Sequence, residues 1–597
     1  MKRRRMLRAT VFLATVALAG AGAWSAPDPS GGKMPDVSFD RGWTFPGGAE
    51  MANDVLTIRG DLDSYRQASL TVDYPGGGGC YFTVEMRLRD AIPGPHLYTR
   101  PNIRLRSGQG QRLGAVNLPV TEIKDWTEVA VYFAPRSWLK PKQIRCEIGM
   151  HNCAGTLDAR RPRLTRGPPG RNTAFPFEVP SDPTCTLAID TTAVSGFNND
   201  LLGVNAQFVW SPFGYEDERI QALFKRLGTP LIRFPGGAVA NYYNWRTDRF
   251  RMPHYPAAKN VGWLKAGVRK KHTFGFEHCL EICRQTDAGM QLVFNVIDEP
   301  VEESVARLRD RMRKGTPISW VEMGNENYFG TMQMGAVDTL DAYVAFTKRL
   351  SGALKDIDPD VRTAVNTHDA FRAGLPHGAR AVTLASEDYY DGVVVHPYVG
   401  SGCDNLGGLA MRQLIGASGE VRRKLAAFRE CFADRPAVLS EWGVLGGNAS
   451  LNNVFSALAL ADIFLAILEG ADAGTVVHAS VHIFFMGDFD NQSALYVWDR
   501  KNEQIRKTRR GIVYEAIVDT FKNADLYAAR GQSALLAERL PAVTARAARK
   551  DGKIAVLALQ KPPVDAPLAM PTAATVYTGP HTLAAFTEDP RTGGEPY

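Results

Sequence analysis

The sequence predicts an α/β protein: a (β/α)8 barrel with an N-terminal β-sandwich and a small C-terminal β-sandwich. Three observations carry this. After residue 200, eight strand-like apolar runs recur, with amphipathic helical stretches between several of them. Before residue 165, short alternating runs are separated by Gly and Pro clusters. After residue 526 the helical rhythm is lost. At 597 residues the chain is long enough for two or three domains. Its 45% hydrophobic and 22% charged content lies near the globular norm, which excludes disorder, coiled coil and collagen.

Residues 1–26 read as a signal peptide. A basic start precedes the apolar run 9–19 and the small residues Ala21-Gly22-Ala23. The run is shorter than the about 20 residues a bilayer crossing needs. An uncleaved anchor is the alternative, and Arg4-Arg5 leaves a twin-arginine route open. The expected location is secreted or periplasmic, with no membrane contact after cleavage. The formal charge is +7, and Lys2, Arg3, Arg4, Arg5 and Arg8 supply five of those charges, leaving +2. A body of that charge has no electrostatic reason to seek phosphate backbones, so no nucleic-acid partner is expected. Eight cysteines in an exported chain could form disulfides. Cys146 and Cys153 are candidates to pair across a turn, and Cys403 and Cys431 flank a helical stretch. Cys279 and Cys283, four apart on a helix face, read as buried thiols. None of these spacings is a zinc pattern.

Residues 30–170 are predicted to be the β-sandwich. Runs such as 80–89 (CYFTVEMRLR), 126–133 (WTEVAVYF) and 143–150 (QIRCEIGM) alternate as half-buried strands do. The run of four glycines ending at Gly79 lacks the Lys-Ser/Thr of a phosphate loop. Trp126, Tyr132 and Trp138 read as core. A Pro/Gly/Arg stretch, 161–176, is a linker. The barrel is assigned to 180–525. Its strands begin near Leu202, Leu231, Gln291, Ser319, Arg362, Gly392, Ala437 and Thr475. Ile220, Leu223, Phe224 and Leu227 form an i, i+3, i+4, i+7 stripe that Gly228 stops. Residues 340–354 repeat that pattern. A doubly wound sheet is the alternative, but it lacks a glycine fingerprint here. Residues 526–597 are predicted to form a small second β-sandwich packed on the barrel, with strands at 553–559 and 574–577 and the pre-barrel strand 186–190 completing it.

Barrel enzymes take catalytic residues from the C-terminal ends of strands. Strand two ends in Arg233-Phe234-Pro235-Gly236-Gly237 and strand four in Glu322-Met323-Gly324-Asn325-Glu326. Strand six ends in His396-Pro397-Tyr398 and strand seven in Ser440-Glu441-Trp442. Glu326 and Glu441 therefore sit at one face, on opposite sides of the ring. Facing carboxylates are what glycosidic bond cleavage requires: one protonates the leaving oxygen, and the other attacks the sugar or activates water.

These segments resemble the retaining glycoside hydrolases of clan A. The Asn325-Glu326 pair after strand four and Glu441 after strand seven carry the clan likeness. Arg233-Phe234-Pro235-Gly236-Gly237, with Tyr243 and Trp245 beyond it, narrows it to the α-L-arabinofuranosidases of the family 51-like group. The likeness covers residues 185–590, and residues 30–170 look similar to carbohydrate-binding modules. It implies Glu326 as general acid/base and Glu441 as nucleophile. It also implies that Arg233 orients the nucleophile, Asn325 binds the sugar 2-hydroxyl, Tyr398 hydrogen-bonds Glu441 and His396 lines the floor. Asn205 and Gln207 leave strand one towards the same opening. Trp210, Tyr243, Trp245 and Trp442 are available to stack on sugar. Asn327-Tyr328-Phe329 after the acid/base departs from the group, and the loop 487–494 matches no known pattern.

A lone strand-end Glu is usually a surface or salt-bridged residue; two in this order are not. Glu322 reads as barrel wall or salt bridge, and Asp298 and Glu299 as the next carboxylates. His478 and His482 share a strand face, but a metal site would need a third ligand such as His396. No metal or cofactor is expected. The resulting expectation is a secreted retaining α-L-arabinofuranosidase acting on polysaccharide or oligosaccharide. The alternatives are another clan A glycosidase (a β-xylosidase or endo-β-glycanase) or an inactive carbohydrate-binding protein.

Overall fold

The computed structural model describes residues 9–15, 33–76, 79–93, 100–118, 123–133, 141–166, 177–178, 185–206, 211–251, 275–315, 317–330, 332–371, 378–399, 408–444, 454–487, 494–499 and 502–561. Alternating sequence gives alternating burial in the N-terminal region. One antiparallel sheet orders Ala49–Ala52, Val55–Gly60, Cys153–Arg166, Cys80–Pro93 and Ile123–Phe133. A second orders Tyr65–Asp73, Gln143–His151, Arg100–Ser107 and Arg112–Asn117. Both send apolar side chains into one cluster: Leu56, Phe82 and Met86 from the first, Leu70, Ile103 and Ile148 from the second. Trp126 is not core. It lies half-buried between the guanidiniums of Arg87 and Arg160, 4.7 and 4.2 Å from its ring centre. Cys146 and Cys153 do not pair; both are free thiols inside the apolar cluster. Cys403 lies outside the described residues.

Eight parallel strands then close into a barrel. They are Gly203–Asn205, Leu231–Phe234, Gly289–Phe294, Ile318–Met323, Thr363–Asn366, Gly392–Val394, Ala437–Val444 and Val476–Val481. Each pairs with its sequence neighbours. Pairing of the first with the eighth and of the sixth with the seventh completes the ring. The helix pattern is obeyed locally. Helix Glu218–Leu227 starts at Asp217, whose carboxylate accepts the Arg219 N–H, and stops at Gly228 in the left-handed region. Its buried stripe is the one the spacing predicts.

The described residues of the C-terminal region form a five-stranded sheet and a short two-stranded one, Leu535–Ala537 with Leu540–Pro541. The order of the five-stranded sheet is Ala9–Thr15, Lys553–Gln560, Val543–Lys550, Asp525–Ser533 and Cys185–Gly196. The pre-barrel strand completes it as expected. Ala9–Thr15, from the expected leader, is its parallel edge strand. The expected strand at 574–577 lies outside the described residues. No helix among the described residues is long and apolar enough to cross a membrane.

Helix Val454–Asp472 is apolar except for a few positions, and one of those joins the barrel to this sheet. Asp462 is 1% exposed and meets Lys561 Nζ at 2.9 Å. Lys561 also donates to Thr544 Oγ1 and to the Pro541 carbonyl, each at 3.0 Å. Removing one partner strands a buried charge. Asp462→Ala should therefore lower stability by about 3–5 kcal/mol, read as a fall in urea midpoint. Adding Lys561→Met should recover most of that loss, because the cation then needs no partner.

Candidate active site

The barrel's C-terminal face gathers polar side chains because strand register aligns them. Asn205, Arg233 and Gln291 are direct partners on the first three strands. Arg233 is fully buried and its guanidinium is divided between two carboxylates. Nε and Nη2 donate to Glu322 at 2.9 and 2.7 Å, Nη1 donates to Glu441 at 2.7 Å, and Nη2 also reaches Asn325 Oδ1 at 2.7 Å. Gln291 Nε2 donates to Glu322 at 3.0 Å. Glu322 is thus a buried counter-ion, as its position predicted.

Glu441 is surrounded by donors. Its Oε1 accepts from Arg233 and, at 3.1 Å, from Asn205 Nδ2. Its Oε2 accepts the Tyr398 hydroxyl at 2.5 Å and lies 3.9 Å from His396 Nδ1. Burial alone would raise its pKa. Neighbouring His396, His482 and Arg233 and the Tyr398 hydrogen bond outweigh that and hold it below the usual carboxylate range. Arg233 is the permanent charge among these, since burial lowers the pKa of His482. Tyr398 is pushed well up by burial and by Glu441, so it stays a donor.

Glu326 has different surroundings. It is partly exposed, with His396 Nδ1 2.9 Å from Oε1 and the Tyr328 hydroxyl donating to the same oxygen at 3.3 Å. The other imidazole nitrogen meets Ser440 Oγ at 3.0 Å. Burial lowers the His396 pKa, but Glu441 and the Glu326 hydrogen bond overcome this and raise it. Glu326 itself sits at φ 50°, a left-handed conformation that costs a non-glycine residue about 1–3 kcal/mol. One side-chain oxygen or nitrogen from each of Glu326, His396 and Glu441 lies within 4.8 Å of the other two.

Two glycines make these approaches possible. Gly236 has φ 73°, and a Cβ there would stand 2.0 Å from Asn205 Oδ1. Gly324 has φ 85°, and a Cβ there would stand 2.0 Å from Asn327 Oδ1. Asn325 is buried, and its Nδ2 has no hydrogen-bond partner among the described residues.

The site therefore brings together Glu326, Glu441, Arg233, Asn325, His396, Tyr398 and Asn205. It does not include Trp245 and Trp442, and the expectation that they stack on sugar is corrected. Both rings are fully buried. Trp245 packs edge-on against Phe234, Tyr243 and Phe294, and Trp442 lies over Phe464 and near Tyr514. Tyr243 is core as well. Asp298 and Glu299 are held by Arg251 at 3.2 and 2.9 Å. Gln207 and Trp210 lie outside the described residues, as does most of the loop 487–494. The sequence reading missed Asn241, Asn366 and Ser440. Asn366 could have been found, since it ends strand five at the same face.

No protein-family model matches the chain. It is 22% identical over 205 residues to the intracellular exo-α-(1→5)-L-arabinofuranosidase of Acetivibrio thermocellus, over 32% of this chain. The chain spans 40% of the length of that relative. Solved structures similar to it include a GH51 arabinofuranosidase from Xanthomonas axonopodis pv. citri. The TM-score is 0.48 and the identity 15%, over 63% of this chain and 85% of that one. The α-L-arabinofuranosidase of Thermotoga maritima gives 0.48 and 17%, over 62% and 85%. The family 51 enzyme of Bifidobacterium longum gives 0.48 and 16%, over 64% and 86%. The class that fold and site define rests on the strand order above: a (β/α)8 barrel with paired glutamates at its C-terminal face. The group that the sequence motifs resemble is the one these relatives come from.

One buried group beneath the site sets a pH dependence. Burial, with Arg233 and Arg362 nearby, pushes His478 down to about 3. Unfolded histidine titrates near about 6.5, so below that pH the unfolded chain takes a proton that the fold refuses. Stability from His478 is complete above 6.5 and is lost as pH falls towards 3. The urea midpoint of His478→Gln should fall less than that of the parent between pH 7 and 4.

Proposed function

We propose that this chain is an exported retaining glycoside hydrolase that removes α-L-arabinofuranosyl groups from polysaccharide side chains. The observation that carries the chemistry is that one carboxylate oxygen of Glu326 and one of Glu441 lie within 4.8 Å of each other at one end of the barrel. Carboxyl groups about 5–5.5 Å apart go with retention, and about 6.5–9.5 Å with inversion, where a water must fit between. The motifs around Arg233, Asn325 and Glu441 support the arabinofuranosidase reading, as does the sequence likeness to the arabinofuranosidase of Acetivibrio thermocellus. The basic start and apolar run 9–19 support export.

Under this reading Glu441 attacks the anomeric carbon. Its charge is kept by Arg233 and aimed by Asn205 and Tyr398. The C–O bond to the leaving group breaks as Glu326 gives that oxygen its proton. A covalent glycosyl-enzyme remains. Glu326, now ionised, takes a proton from water, which attacks the same carbon and releases the sugar with its configuration retained. Asn325 Nδ2 is placed to donate to the sugar 2-hydroxyl, a bond that can strengthen in the transition state.

The two glutamates separate by chemistry. Glu441→Gly should abolish activity for every leaving group, and azide should give only the inverted glycosyl azide. Glu326→Ala should still cleave a dinitrophenyl arabinofuranoside in its first step, because that leaving group needs no proton. The intermediate should then accumulate, and azide should release it as the retained glycosyl azide. Loss on unactivated substrates should be about 10²–10⁴-fold. The opposite stereochemistry at each variant would reverse the two roles.

A further inference from the structure

Glu326 lies on a turn whose backbone is held from two sides by asparagines. On one side stands Asn241, in the turn Ala238–Tyr242 after strand two. Its Oδ1 accepts the Asn325 N–H at 3.0 Å and Asn327 Nδ2 at 3.4 Å, and its Nδ2 donates to the Asn325 carbonyl at 2.5 Å. On the other side stands Asn366, the last residue of strand five. Its Oδ1 accepts the Asn327 N–H at 3.0 Å. Its Nδ2 faces the Met323 and Gly324 carbonyls and Asn327 Oδ1 at 3.1, 3.0 and 3.2 Å. Both asparagines are fully buried. The residues either side of Glu326 are thus pinned by side-chain amides, while Glu326 itself is left at φ 50°.

Asn366 is itself braced. Tyr343 donates its hydroxyl proton to the Met323 carbonyl at 2.9 Å and accepts the Asn366 N–H at 3.0 Å. Arg380 donates from Nε to the Asn366 carbonyl at 2.8 Å and from Nη2 to its Oδ1 at 3.3 Å, and lies 3.8 Å over the Tyr343 ring. Burying a guanidinium against an amide and a ring is costly, and burial lowers its pKa. Such an arrangement is hard to account for as packing alone.

We infer that Asn241 and Asn366, with Arg380 behind the latter, are positioning residues that hold Glu326 in its left-handed conformation and so aim its carboxyl at the leaving-group oxygen. None of the three has a hydrogen bond to Glu326 or Glu441 described in the structure. They act through the backbone of the turn. The inference rests on the acid/base role proposed for Glu326, and it is specific to that role, because Glu441 is held by other groups.

The test is the dependence on leaving group of Asn366→Ala. A misplaced acid matters only where the leaving oxygen needs a proton. For methyl α-L-arabinofuranoside kcat/KM should fall about 10²-fold, the scale of a 1 Å misplacement. For the dinitrophenyl arabinofuranoside it should fall less than about 5-fold, since no acid assistance is needed. Azide should raise kcat of the variant on the dinitrophenyl substrate, because deglycosylation lacks its aimed base. Equal falls on both substrates would show a merely structural role and overturn the inference, as would no fall on either. If Asn366→Ala does not fold, Arg380→Lys removes the brace while keeping the cation, and should show the same selective loss, smaller in size. A parent chain that cleaves neither arabinofuranoside would defeat the substrate reading instead. The same pair of leaving groups on whichever glycoside it does cleave would then decide the inference. Cleavage of no glycoside at all would sink both.

Discussion

The site depends on one buried cation. Arg233 stands inside the barrel with no solvent to screen it, and its flat fork reaches Glu322 on one edge and Glu441 on the other. A lysine could not divide itself so, because its charge is a point with rotating donors. Two carboxylates and one guanidinium leave a net negative charge in the polar layer, which is why further donors gather there. Gln291 serves Glu322, while Asn205 and Tyr398 serve Glu441. Without Arg233, two buried carboxylates would lose the cation they share in a medium of low dielectric.

Two glutamates of identical chemistry are thereby given different surroundings. Glu441 is buried, ionised and gripped by three side-chain donors. Glu326 is partly exposed and has no arginine, only an imidazole and a phenol. That contrast is what acid/base and nucleophile roles require in one site. His396 links them, bonding Glu326 through one nitrogen and Ser440, the residue before Glu441, through the other. A change of charge on either carboxylate is felt by this imidazole at once.

The barrel also explains why the tryptophans failed as sugar platforms. An aromatic residue near a catalytic motif can serve the pocket or the wall behind it. Trp245 and Trp442 bury their whole ring surface among Phe234, Phe294, Phe464 and Tyr514. Phe329, three residues after Glu326, is by contrast half-exposed.

Much of this was legible in the sequence because it is written in local patterns. Strand runs such as LIRF, QLVFN and TVVHASV announce themselves by length and apolar content, and their number closes the barrel. Once the strands are placed, direction alone puts Arg233, Glu326, His396 and Glu441 at one face. The same logic marked Glu322 as a buried partner. Other features depended on groups far apart in the chain. Nothing around Asn241 or Asn366 shows that their amides converge on the turn at Glu326, 84 and 39 residues distant. Nothing near Asp462 points to Lys561. The disulfide suggested by Cys146 and Cys153 was a matter of spacing, and the fold turned both thiols into core. Periodicity records which face of an element is apolar, so it determines elements, their order and the end of the barrel that carries chemistry. Which buried polar atoms satisfy one another is decided only when the elements pack, because each such bond joins residues that the sequence holds apart.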